Sequence, residues 1–75
     1  MERKAPMQFD PEHGRWYVEL LGTNYDFHCG EHVEIYMGGQ PVVCRFELDL
    51  DWYVILKDAS FNLRPSAQYM VNVNF

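Results

Sequence analysis

Three histidines and two cysteines carry the most specific chemistry in this chain. His28, Cys29 and His32 fall in one short segment, with Cys44 and His13 further away. Zinc takes tetrahedral Cys and His ligands, and closely spaced pairs keep the loop-closure cost of binding low. His28, Cys29, His32 and Cys44 therefore form a candidate ligand set, provided that Cys44 reaches the turn. Alternation argues the other way, because it places Cys44 on the inward face of its strand and His32 on the outward face of another. A structural zinc site also presents two recognisable ligand pairs, and only one is present. The expectation is that no metal is bound, with the ligand set kept open as an alternative. Cys29 and Cys44 then read as small buried apolar groups, and His28 and His32 as polar turn and surface residues.

The same residues suggest a Cys-His nucleophilic pair. A catalytic thiol needs a base within hydrogen-bond reach and a concave pocket for substrate. A barrel of 75 residues filled by its own side chains offers neither. The paired carboxylates Asp49 and Asp51, and Glu31 and Glu34, read as turn and outward-face groups rather than an acid and base with separated pKa values. Asp49 and Asp51 shape a turn through bonds to nearby backbone. No catalytic residue, cofactor or enzymatic activity is expected.

Those groups sit on a short acidic chain, with eleven Asp and Glu against six Lys and Arg and a net charge of −5. Nucleic-acid affinity rests largely on Lys and Arg contacts to phosphates, so nucleic acid is an improbable partner. An anionic membrane surface is improbable for the same reason. Two cysteines are too few for a disulfide-dependent secreted domain. No signal peptide or spanning segment is evident, and a cytoplasmic location is expected. Two Trp, five Tyr and five Phe supply ample core material for one domain.

The elements follow from alternation. Residues 1–12 mix charges with Pro6 and Pro11 and read as a flexible arm ahead of a single domain over 13–75. Arg15–Leu21 forms a strand with Trp16, Val18 and Leu20 inward. Gly22-Thr23-Asn24 breaks it, and Tyr25–Glu31 reads as a long loop. His32–Met37 turns Val33, Ile35 and Met37 inward, and Gly38-Gly39 makes a tight hairpin. Val42–Leu48 gives Val42, Cys44, Phe46 and Leu48 to the core. After the Asp49-Leu50-Asp51 turn, Trp52–Lys57 turns Trp52, Val54 and Leu56 inward and leaves Tyr53 outside. Asp58–Gln68 is irregular, with Phe61 and Leu63 as end plugs. Tyr69–Phe75 closes the chain with Tyr69, Val71, Val73 and Phe75 on one face and a sheet edge open to a second copy.

The expected fold is all-β, a five-stranded antiparallel SH3-like small barrel, since closure hides the edges of a small sheet. Gly14-Arg15-Trp16-Tyr17, Phe27-His28-Cys29-Gly30-Glu31, Val33-Glu34-Ile35, Gly38-Gly39 and Trp52-Tyr53-Val54 carry a further likeness. Over roughly residues 14–57 the chain resembles a small uncharacterised family of Firmicutes proteins often carried with conjugative elements. That resemblance implies an SH3-like barrel and brings no assigned activity.

What remains for function is outward aromatic surface. Tyr17, Tyr36 and Tyr53 fall on outward faces, and Tyr25 and Phe27 lie in the long loop, beside acidic residues such as Glu34. Tyrosines are enriched at binding surfaces because the ring offers rigid area and a polar tip. The leading expectation is a protein-interaction module using Tyr17, Tyr25, Phe27, Tyr36, Tyr53 and Glu34 toward a partner with a basic surface. Tyr25 and Phe27 read equally well as core plugs. Two alternatives are an acidic mimic of nucleic acid that blocks a nucleic-acid-handling enzyme, and a single-strand binder stacking bases on the aromatics. The latter needs Arg15, Arg45 and Lys57 to line a positive groove.

Overall fold

Period-two alternation writes one apolar face along most of this chain, and the layout follows from what that face must cover. The computed structural model describes residues 2–74. It is all-β, with β1 (Glu2–Asp10), β2 (Arg15–Leu20), β3 (Thr23–Asp26), β4 (His32–Met37), β5 (Gln40–Leu48), β6 (Trp52–Ile55), β7 (Ser60–Asn62) and β8 (Tyr69–Asn74). All pairings are antiparallel, in one eight-stranded sheet ordered β3-β2-β1-β8-β4-β5-β6-β7.

There is no second layer, so the sheet curls over its own apolar face. In a flat sheet β2 and β5, four steps apart, would stand about 19 Å from each other. Here Phe27, just past β3, stacks on Phe46 of β5 with ring centroids 4.8 Å apart. The Trp52 indole of β6 donates a 2.8 Å hydrogen bond to the Gly14 carbonyl just before β2. Inside the curl lie Met7, Trp16, Val18, Ile35, Cys44, Phe46, Val54 and Val71, all essentially without solvent exposure.

Several expectations need correcting. The five expected strands are eight, and the sheet is not closed into the SH3-like barrel, because β3 and β7 end it without pairing to each other. Residues 2–10 are no flexible arm: β1 is an interior strand between β2 and β8, and it buries Ala5 and Met7. Pro6 lies outside the β1–β2 register, which begins at Met7, and is in register with Met70 of β8. The expected long loop contains β3, and the irregular stretch contains β7. The last strand is not an edge either, since β8 lies between β1 and β4. Phe75, expected inward, lies outside the described residues.

The inward sets of the other strands hold. Trp16, Val18 and Leu20, Val33 and Ile35, Cys44 and Phe46, and Val71 and Val73 are buried. Leu63 is buried and Phe61 packs against the core, as end plugs should. Leu48 departs from the pattern: it holds the inward phase but is 48% exposed at the end of β5.

Two hairpins share one turn geometry with different residues. Met37 pairs with Gln40 across Gly38-Gly39, both at positive φ, and Leu20 pairs with Thr23 across Leu21-Gly22. Leu21 holds φ 53° with its side chain 90% exposed. A left-handed conformation costs an L-residue with a Cβ about 1 kcal/mol or more, and Asn or Gly is the usual occupant. Leu21→Asn is therefore expected to raise stability by roughly 0.5–1 kcal/mol, read as a higher urea midpoint with an unchanged slope. An unchanged or lower midpoint would contradict the strain. Deleting residues 1–10 is expected to abolish cooperative unfolding and near-ultraviolet dichroism, whereas loss of a dispensable arm would leave both intact.

Candidate functional site

The three-residue loop Asp49–Leu50–Asp51 joins β5 to β6, whose closing pair is Leu48 with Trp52. A 3.2 Å backbone hydrogen bond from Asp49 N to Asp51 O tightens it. Turns favour polar residues, yet Leu50 stands 93% exposed between two aspartates. The carboxylates of Asp49 and Asp51 make no hydrogen bond or ion pair among the described residues.

On its inner side this loop overhangs an apolar groove of about 190 Å³. Leu48, Leu50 and Trp52 form one wall, Leu63 and Pro65 the next, and Phe9, Gly14 and Trp16 the last, with Asp51 at the rim. Aromatic contacts hold the walls. Phe9 and Tyr69 each lie 5.5 Å from the Trp16 ring, and Trp52 meets Phe46 edge-on at 6.1 Å. Trp52 Nε1 is fixed on Gly14 O, while the buried Trp16 Nε1 has no acceptor. A buried donor left unpaired costs about 1–3 kcal/mol. Of the large hydrophobics that are exposed among the described residues, Leu48 and Leu50 flank the same groove.

On its outer side the same loop borders a polar depression of about 340 Å³, lined by Asp49, Leu50, Asp51, Tyr53, Ser60 and Asn62. Leu50 and Asp51 thus form a wall common to both sides. Tyr53 is half-buried, paired in register with Glu47 and Asn62.

The expected tyrosine surface is distributed differently. Phe27 is not surface at all; it is buried in the core against Phe46. Tyr25 sits opposite Val18, on the inward side at the sheet edge, 45% exposed. Tyr17, half-buried on the outer face, donates a long 3.4 Å bond to Gln8 and borders a depression of about 370 Å³ with Pro6, Gln8, Glu19 and Asn24. Tyr36 lies under the Lys4 ammonium, 4.5 Å from its ring centroid. Glu34 is occupied too, accepting a 2.8 Å bond from Asn72 Nδ2. Tyr17, Tyr36 and Tyr53 stand on β2, β4 and β6, with at least one strand between neighbours. Only Tyr53 joins the loop site. Leu48, Leu50, Pro65 and the two tryptophans were not singled out as surface by alternation; the apolar residue inside an Asp-x-Asp turn was the available signal.

The metal candidates are likewise separated. No three of His28, Cys29, His32 and Cys44 bring ligand atoms within 4.8 Å of one another. His28 instead pairs with Glu31, Nδ1 to Oε1 at 2.7 Å. Cys29, expected to be buried, is exposed, while Cys44 is buried and its burial pushes the thiol pKa up. Asp10, Glu12 and His13 do cluster within 4.8 Å in the β1–β2 turn. There the His13 hydrogen bond, first among several, holds the exposed Asp10 carboxyl below its ordinary value.

A protein-family description, a domain of unknown function designated DUF5348, matches residues 5–73. A solved protein from Ruminococcus gnavus is similar at 25% identity and TM-score 0.70, over 92% of this chain and 99% of that one. No curated protein matches the chain. The match to a family of unknown function thus runs beyond the expected 14–57, and the similar protein comes from a Firmicute; neither bears on the expected link to conjugative elements. No helix among the described residues is long and apolar enough to cross a membrane.

Thiol chemistry checks the placement of the cysteines, since the thiolate is the reactive form and Cys44 is both buried and disfavoured as thiolate. Alkylation of the folded chain should consume Cys29 alone, and Cys44 only after unfolding. Zinc should leave the Cys29 rate unchanged, and protection by zinc would restore the four-residue ligand set.

Proposed function

The chain belongs to the DUF5348 family, and from that premise we propose that it is a protein-binding module whose working surface is the Asp49–Leu50–Asp51 loop and the apolar groove beneath it. The observation that carries this reading is the pair of exposed leucines, Leu48 and Leu50, beside a groove walled by fixed aromatic rings. Burying a leucine side chain is worth about 1.5–3 kcal/mol, which this fold forgoes at Leu50 and a partner would recover. Prearranged rings lower the ordering cost of association.

Charge pairing favours a protein partner over nucleic acid. Arg15 lies 3.6 Å from Asp26, Arg45 lies 2.8 Å from Glu47, and Lys4 sits over Tyr36. Arg15 and Arg45, two of the three cations that a positive groove for base stacking would need, already face carboxylates, which supports the protein reading. The unpaired Asp49 and Asp51 instead favour a basic surface.

The test places a photo-crosslinking phenylalanine analogue at position 50 and, as control, at Val43, which is 58% exposed on another face. A discrete adduct is expected from position 50 and not from 43 in cells of the source organism. It should vanish when Leu48→Ser is added. Equal labelling from both positions, or none from 50, would overturn the assignment of the surface.

A further inference from the structure

Resting on that reading, we propose that the partner presents an extended segment with one apolar side chain and one Lys or Arg. The apolar group fills the inner groove, and the cation reaches across Leu50 to Asp49, Asp51 and Tyr53.

The common wall carries the inference. Leu50 and Asp51 border both depressions, so a chain crossing the loop meets an apolar surface on one side and a polar, acidic one on the other. The inner depression is walled by indole rings and leucines, which take an uncharged group. The outer one combines two carboxylates without partners and a tyrosine ring, the surroundings that favour a cation through charge and ring face. Only the short loop with Leu50 and Asp51 separates them, and an extended chain advances about 3.3 Å per residue. The two side chains are therefore expected about two to four positions apart. Arg64, between Leu63 and Pro65, does not line the groove and forms no ion pair with Asp49 or Asp51 among the described residues.

The two tryptophans of the chain both line the groove, so intrinsic fluorescence reports its occupancy without a label. The experiment selects from a random linear peptide display library on the full chain, on Asp49→Asn with Asp51→Asn, and on Leu48→Ser with Leu50→Ser. These side chains are exposed and the turn is tied by backbone, so folding of each variant is verified by near-ultraviolet dichroism. Enrichment on wild type of an apolar residue with Lys or Arg two to four positions away is expected. The aspartate variant should keep the apolar preference and lose the basic one; the leucine variant should lose both. A synthetic peptide of the enriched sequence should shift the tryptophan emission and bind the aspartate variant roughly tenfold or more weakly, more so at low salt.

Apolar enrichment without a basic residue, or a basic preference that survives in the aspartate variant, overturns this inference and leaves the groove as a binding surface. Enrichment untouched by the leucine substitutions overturns both. Absence of any linear motif overturns the extended segment, while the cross-link at position 50 decides the surface independently.

Discussion

Everything in this structure depends on bending one sheet until distant parts of it touch. The hydrogen bond from Trp52 Nε1 to the Gly14 carbonyl and the stack of Phe27 on Phe46 join parts that a flat sheet would hold far apart. Without a helix or a second sheet to cover the apolar face, the only available cover is the other end of the same sheet. Large rings suit that task, because a few of them fill the space between distant strands. Trp16 sits at the middle of it, with Phe9 and Tyr69 against its ring.

A curl held by side chains differs from a barrel held by a hydrogen-bonded seam. Its ends are β3, four residues long, and β7, three residues long, both polar in the main. Short polar edges resist pairing with another chain, so the open seam is managed without closure. Because the closing contacts converge near Gly14 and Trp52, the same residues that hold the curl also wall the groove. Fold and candidate site are therefore one construction: the groove lies beside the contact between Gly14 and Trp52.

Much of the inward face was legible in the sequence, and the reason is local. Alternation within β2, β4 and β5 is decided by adjacent residues, so Trp16, Ile35 and Phe46 could be placed without knowing the topology. The alternation of β1 was equally present, Ala5 and Met7 against Lys4, Pro6 and Gln8, but prolines and charges obscured it. Its place in the sheet interior depends on β2 and β8, which no local pattern encodes. The fate of the outward and terminal residues was not legible for a related reason. Phase tells which face Leu48 occupies, but its exposure depends on what the rest of the chain packs against the end of β5. Tyr36 and Glu34 look free in sequence because Lys4 and Asn72 are remote in the chain and reach them only through β8 and β1.

Net charge conceals the same dependence on topology. An excess of carboxylates is a property of composition, whereas the field at any point depends on which carboxylates already have partners. Asp10, Asp26, Glu31, Glu34 and Glu47 each meet a histidine, arginine or amide. Exposed pairs of this kind contribute little stability, but they do remove both members from the list of groups awaiting a counterpart. Asp49 and Asp51 stay on that list with Glu12, Glu19 and Asp58, and they alone flank the most exposed leucine in the described chain. An apolar side chain and free negative charge in one tight turn serve no purpose in the core below, whose rings already hold the curl. The proposed binding surface is built on that combination.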